Sequence, residues 1–342
     1  MIREAIETSV SGYSLAFEEA AQVMEEIMSG QATPAQIAAF ITTLRIKGET
    51  VDEIAGLASI MRAKAILVAA TPPVIDTCGT GGDSSFSFNV STAAAFVVAG
   101  AGMKVAKHGN RAMSSRCGSA DVLEALGVKI DLGAEAVAKC LDEVGIGFMF
   151  APTFHPAMKY AAAPRREIGI RTVFNILGPL TNPAKAEFQV IGVPSQELGE
   201  KIAFVLKRLG TKHSLVVQGL DGMDEISISG KSLIWDVTLL GVSPPYEVCP
   251  DDFRLKSASM AEILGSTPEK NAEVLRHILA GEKGPRRDVV LMNAAAALVA
   301  GNRVSNLRDG ARIAEEAIDS GKAQNKLGEL VKFSNIIASI AT

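Results

Sequence analysis

The stretch VIDTCGTGGDSSFSFNVSTAAAFVVAGAGMKVAKHGNR, residues 74–111, decides the fold. Val74 to Cys78 reads as a strand, Asn89 to Ala101 as an Ala-rich helix and Lys104 to Lys107 as a second strand. A strand, a crossover helix and another strand place the two strands parallel in one sheet. Downstream the texture repeats. A helix is expected over Ser119 to Leu126, a strand over Ile146 to Phe150, and a strand, helix, strand series over Phe188 to Val193, Glu197 to Leu209 and Ser214 to Gln218. From Glu225 to about Val248, Ile226, Ile228, Leu233 and Trp235 alternate with polar residues, which predicts antiparallel strands around a Ser229-Gly230 turn. Beyond Ser259 the pattern is helical and includes an Ala-rich helix through Val289 to Ala300.

Upstream, the first seventy residues read as helices only. Leu15, Val23, Met24, Ile27 and Met28 recur at helical spacing after Ser14, with Gly30 as the stop. Thr33-Pro34-Ala35-Gln36 and Thr50-Val51-Asp52-Glu53 are capping-box starts, the first for a helix to Gly48 and the second for one to about Ala69. Three short helices carry more apolar surface than they can bury among themselves, so they dock on the rest of the chain, on a second subunit, or on both. The fold class is α/β: a small all-helical N-terminal domain, residues 1–72, and a large α/β domain, 73–342, with a mainly parallel central sheet and C-terminal helices.

The chain has 342 residues, too long for one small module and long enough to bury a core unaided by disulfides or structural metal. Its 34 Lys and Arg against 38 acids leave a net charge of -4, so no global field attracts nucleic acid or an anionic membrane. The N-terminus lacks the basic start and apolar run of a signal peptide, and no apolar run approaches the ~20 residues of a membrane span. Cys78, Cys117, Cys140 and Cys249 are scattered without metal-ligand spacing and read as reduced thiols of a cytoplasmic protein.

The chemistry begins at Gly79-Thr80-Gly81-Gly82-Asp83. A loop so poor in side chains lets backbone N–H groups approach an anion, and phosphate is the natural guest. The spacing matches neither a P-loop nor the dinucleotide fingerprint. Asn89-Val90-Ser91-Thr92 then opens a helix, bringing polar side chains and a positive dipole end to the same place. Lys107-His108-Gly109-Asn110-Arg111 ends a strand where open α/β sheets bind ligands, with Lys107 a charge for phosphate and His108 and Asn110 suited to a planar second substrate. His108 taken alone would read as a satisfied structural histidine. Ser114-Ser115-Arg116-Cys117-Gly118-Ser119 continues the anion-binding surface. His155, Lys159, Arg165, Arg166 and Arg171 form a basic cluster, either a solvated helix face or a carboxylate or phosphate site. Asp221-Gly222-Met223-Asp224-Glu225 follows a strand; such a turn is either solvated surface or a set of hard oxygen ligands for Mg2+ beside a polyphosphate.

Six of these motifs, GTGGD at 79–83, NVST at 89–92, KHGNR at 107–111, GSAD at 118–121, RREIGIRTVFNILGPLTNP at 165–183 and DGMDE at 221–225, resemble the anthranilate phosphoribosyltransferase family in order and spacing over nearly the whole chain. The resemblance implies the nucleoside phosphorylase-like phosphoribosyltransferase fold and transfer of the 5-phosphoribosyl group of PRPP to the amine of anthranilate, with release of pyrophosphate, in tryptophan biosynthesis. It implies that Gly79, Gly81, Gly82, Asp83, Ser87, Asn89, Ser91, Thr92, Lys107 and Ser119 bind PRPP. Gly79, His108, Asn110 and Arg165 would bind anthranilate, Arg165 by its carboxylate. Ser91, Asp224 and Glu225 would be ligands of Mg2+, two ions per monomer, and no dedicated acid or base is implied. A homodimer through the N-terminal helices is also implied. Two other readings are a pyrimidine nucleoside phosphorylase of the same fold, which KHGN and the Asp-Glu pair disfavour, and a nucleic-acid-binding paralogue, which the acidic balance disfavours.

Overall fold

The computed structural model describes residues 1–83, 85–112 and 116–341. Its centre is a seven-stranded sheet of order β3-β2-β1-β4-β5-β6-β7. The strands are β1 (Val74–Gly79), β2 (Lys104–Gly109), β3 (Ile146–Phe150), β4 (Phe188–Gly192), β5 (His213–Gly219), β6 (Ser232–Thr238) and β7 (Tyr246–Val248). β1 to β5 are parallel, while β6 and β7 add antiparallel at one edge. The chain steps outward from β1 through β2 to β3, then returns to the other side of β1 with β4. That reversal opens a crevice at the C-terminal ends of β1 and β4, where Gly79 lies opposite Gly192 in register.

Successive strand residues face opposite sides, and here the two sides feed two cores. Val190, Leu215, Val217 and Ile234 pack with the helices Val90–Gly100 and Pro285–Ala300. Ile191, Val216, Leu233, Trp235 and Val237 pack with the N-terminal helices and with Gln196–Arg208. The helical unit therefore covers one face of the sheet. Ile66 and Val68 then run extended, donating their N–H groups to the carbonyls of Phe154 and Pro183.

Those bonds explain why the fourth helix, Val51–Lys64, ends before Ala69. The unit also holds four helices rather than three: Ile2–Val10 precedes Phe17–Met28, Pro34–Lys47 and Val51–Lys64, burying Ile2, Ala5 and Ser9. Both capping boxes form, and the fully buried Glu53 carboxylate accepts from the N–H groups of Leu15 (2.9 Å) and Thr50 (2.8 Å) and from the Lys47 ammonium (2.9 Å). A buried charge this well partnered keeps its place without an orphaned lone pair.

The region after β5 also differs from expectation. Residues 225–231 form no strand, because their polar groups are used otherwise. The hydroxyls of Ser227 and Ser229 both donate to Asp221, and Ile226 is bonded through its backbone to Asn293. The antiparallel ribbon starts only at Ser232 and joins β6 to β7. No helix among the described residues is long and apolar enough to cross a membrane, and all four cysteines are free thiols.

Candidate active site

The loop between β5 and β6 folds back over the crevice. At Gly79 and Gly192 a side chain would run into Asp224, at its carboxylate and its main-chain carbonyl respectively, so only glycine lets this loop sit on the strand ends. Carboxyl oxygens of Asp83, Asp224 and Glu225 lie within 4.8 Å of one another. Burial, with Asp83 beside it, lifts the Asp224 carboxyl to about 7, and burial with Asp224 and Asp83 holds that of Glu225 well above the usual range. Carboxylates crowded into low dielectric hold their protons until a cation replaces them, so this donor set suits a hard divalent cation. Ser91 belongs to the same place: with Thr77, Cys78, Asp224, Glu225 and Asn293 it lines one cavity, and its carbonyl accepts from the Thr77 hydroxyl at 3.0 Å.

Lys107 and His108, at the end of β2, point inward. The Lys107 ammonium is buried and donates to the Thr77 carbonyl at 2.6 Å; burial lowers its pKa while Asp76 and Glu225 support its charge. Asp76 is fully buried and raised to about 6 by burial against the pull of Lys107. It accepts from the His108 N–H (3.3 Å) and the Asn182 amide (2.8 Å), and Asn182 also donates to the Ala106 carbonyl. Lys107 therefore lies beneath the crevice floor. The His108 ring contacts the Gly178 carbonyl through Nδ1 at 3.2 Å, a geometry that needs the proton on Nδ1, and its buried Nε2 has no partner. His155 stacks obliquely on it, ring centres 5.1 Å apart. Burial pushes the two imidazoles down to about 3 and about 4, so both are neutral.

The remaining residues that the resemblance assigns to PRPP are held by their own neighbours. Ser87 bridges to Leu264, Asn89 donates to the Cys117 carbonyl at 3.1 Å and accepts from Asn271 at 3.0 Å, and Asp83 accepts from Ser85. Thr92 is buried in the first turn of its helix. Ser119 donates to the Asn110 carbonyl at 3.4 Å, which ties GSAD to KHGNR, and Arg111 reinforces the tie through Asp121 and Glu124. Asn110 itself is exposed. Ser114 and Ser115 lie outside the described residues.

The basic cluster does not act as one group. His155 belongs to the histidine pair, Lys159 stands exposed over the Tyr160 ring, and Arg166 is exposed. Arg165 is half-buried near the end of the helix Lys159–Ile168, its guanidinium 5.2 Å from the Phe174 ring centre. Burial lowers its pKa, and among the described residues no carboxylate pairs with it. Arg171 leaves the cluster altogether and donates through Nη2 to the carbonyls of Thr80 (3.0 Å) and Gly81 (2.7 Å).

Two structural partners carried no readable signal of their role. Asn293, buried in an Ala-rich helix, accepts from the Ile226 N–H and donates to the Ile226 carbonyl, both at 3.0 Å, clamping the residue after Glu225. Asn182 ties Asp76 to β2. A polar residue inside an otherwise apolar helix was the only available hint for the first.

Comparison with known proteins agrees with this geometry. Residues 71–324 match the family described as "Glycosyl transferase family, a/b domain" and residues 3–65 its "helical bundle domain". The chain is 58% identical over 340 residues to the anthranilate phosphoribosyltransferase of Dehalococcoides mccartyi, covering 99% of this chain and 100% of the relative. It is 59% identical over 334 residues to that of Chloroflexus aurantiacus, covering 97% and 98%. Among solved structures, the anthranilate phosphoribosyltransferase of Thermus thermophilus superposes with a TM-score of 0.91 at 42% identity, covering 97% of this chain and 99% of that one. The Saccharomyces cerevisiae enzyme in complex with PRPP and Mg superposes with a TM-score of 0.90 at 29% identity, covering 98% of each. The chain belongs to the anthranilate phosphoribosyltransferase family, and it is a pentosyltransferase that moves the 5-phosphoribosyl group of PRPP to the amine of anthranilate.

Proposed function

We propose that the reaction is divided between two ends of the crevice, and the observation that carries this is the gathering of the half-buried Asp83, at the end of the glycine loop, with the buried Asp224 and the half-buried Glu225. Gly79, Gly81, Gly82, Asp83, Ser87, Asn89, Ser91, Thr92, Lys107 and Ser119 take PRPP. Backbone N–H groups of the loop and the start of the helix Val90–Gly100 meet its phosphates. Ser91, Asp224 and Glu225 hold Mg2+, two ions per monomer, with Asp83 near enough to share them. Bound there, magnesium would neutralise the charge that gathers on departing pyrophosphate. Lys107 supplies positive potential from beneath through the Thr77 peptide, whose carbonyl it holds.

At the other end, Gly79, His108, Asn110 and Arg165 receive anthranilate. Arg165 has a desolvated guanidinium that rests on the Phe174 ring and, among the described residues, pairs with no carboxylate, which suits bidentate pairing with one. Cleavage at C1 of the ribose leaves an oxocarbenium-like centre, and the aromatic amine, neutral at pH 7, attacks it. A strong base is not needed, which accords with two histidines held neutral and weakly basic. Catalysis is positioning and electrostatics.

Residues 1–72 form the helical domain and pair two copies into a homodimer. Their docking on the sheet leaves Val10, Tyr13 and Ile46 well exposed, which supports that role. The protein works in the cytoplasm, consistent with its free thiols. The test follows anthranilate fluorescence on addition of PRPP. Loss of signal only when Mg2+ is present supports the reading, and undiminished signal with every component present overturns it.

A further inference from the structure

We propose that Arg171 is a positioning residue that orients the glycine loop toward pyrophosphate. The inference rests on the reading that this loop receives PRPP. A trans peptide is planar, with its C=O and N–H pointing opposite ways, so whatever fixes the carbonyl also aims the amide. Arg171 fixes two consecutive peptides. It bonds the Thr80 carbonyl at 3.0 Å, and the N–H of the same peptide, on Gly81, is directed away to Asp224 Oδ2 at 2.7 Å. It bonds the Gly81 carbonyl at 2.7 Å, and the opposite end of that peptide is the Gly82 N–H, which has no protein acceptor among the described residues. One peptide is strung between the arginine and a carboxylate of the metal-binding group, and the next presents a donor for an anion.

The sequence is built around this contact. A side chain at residue 82 would run into the Arg171 guanidinium, so the glycine there makes room for the arginine as well as for a ligand. Arg171 lies beyond the helix Lys159–Ile168 that carries Arg165, after the left-handed Gly169 cap. The two arginines therefore serve different ends of the crevice, and Arg171 touches loop carbonyls rather than a reacting atom. Asp83 and Asp224 supply its countercharge without forming a direct ion pair.

The experiment compares Arg171→Gln and Arg171→Lys with the unaltered enzyme by steady-state kinetics, with thermal melting to check that each variant folds. Loss of both carbonyl bonds in Arg171→Gln should raise KM for PRPP by about tenfold or more, the scale of hydrogen bonds from a charged donor, while KM for anthranilate stays unchanged. Arg171→Lys keeps the charge but loses the planar guanidinium that aims Nη2 at both carbonyls, and should fall between. A role in folding alone would lower the melting temperature without separating the two KM values. An unchanged KM for PRPP in both variants, while Asp224→Ala with Glu225→Ala abolishes PRPP use, overturns the positioning role and leaves the reading of the site intact. If the double carboxylate variant also uses PRPP normally, the reading of the site fails.

Discussion

The two ends of the crevice are built differently. In the end proposed for PRPP, peptides, carboxylates and a buried ammonium are bonded to one another, and Asp224, Gly81 and Arg171 form a continuous chain of contacts. The end proposed for anthranilate is made of side chains with fewer bonds to one another. Among the described residues Arg165 meets the Phe174 ring but no carboxylate, His108 Nε2 meets no donor, and the exposed Asn110 accepts at its Oδ1 from the Arg111 N–H. A site for a polyanion and its cation needs polar groups held in place in low dielectric, so its residues must satisfy one another. A small planar acceptor can instead bring its own carboxylate to complete the site.

The sharpest way to break this contrast is to remove the two carboxyl groups. Asp224→Ala with Glu225→Ala should lower kcat/KM for PRPP by a factor on the order of 10²–10³, the scale for losing a preorganised electrostatic element. A loss confined to anthranilate kinetics would contradict it. Next, Arg165→Ala should raise KM for anthranilate by roughly 10- to 100-fold, the worth of a charged hydrogen-bonded pair, and leave KM for PRPP alone. A matching rise for both substrates would show that the ends are not separable.

A smaller effect is expected at Asn293. Asn293→Leu leaves the Ile226 N–H and carbonyl unpaired in the interior, a cost of about 1–3 kcal/mol for each group left unsatisfied, and loosens the segment carrying Glu225. The Mg2+ concentration giving half-maximal rate should rise severalfold with KM for anthranilate unmoved. An unaltered Mg2+ requirement would mean that the clamp only stabilises the fold.

The smallest effect expected is in pH. Asp224 titrates near 7 in the folded chain against about 4 when unfolded, so the folded state retains a proton that the unfolded state has released, and this group's contribution to stability declines as pH rises from about 4 to about 7. His108 and His155, lowered to about 3 and about 4, act in the opposite sense below about 6.5. The clean readout is therefore the gain in melting temperature on adding Mg2+, which requires ionised carboxylates. It should be small at acid pH, grow through neutrality and then level off. A gain independent of pH would contradict the raised carboxyls.

Much of this was legible in the sequence because the signals were local. The strands around 74–111 were marked by apolar runs, the glycine loop by composition and the helix starts by capping residues, and each sits within a residue or two of its expected place. What escaped depended on partners far along the chain. The segment 225–231 alternates like a strand but spends its polar groups on Asp221 and Asn293. The helix Ile2–Val10 was hidden because its apolar residues bury only a narrow stripe. Lys107 is legible as a charge for phosphate, but its bond to the Thr77 carbonyl, which sets it beneath the crevice, is not. Arg165 and Arg171 share one basic stretch of sequence, but beyond the turn at Gly169 Arg171 meets the glycine loop while Arg165 rests on Phe174.

The most direct test of the separated ends is calorimetric titration of pyrophosphate with Mg2+, without anthranilate, into the unaltered protein, Arg165→Ala, and Asp224→Ala with Glu225→Ala. The unaltered protein and Arg165→Ala should bind equally, and the double carboxylate variant should lose binding. Loss of binding in Arg165→Ala, or its retention in the double variant, would contradict the assembled charged end on which the account rests.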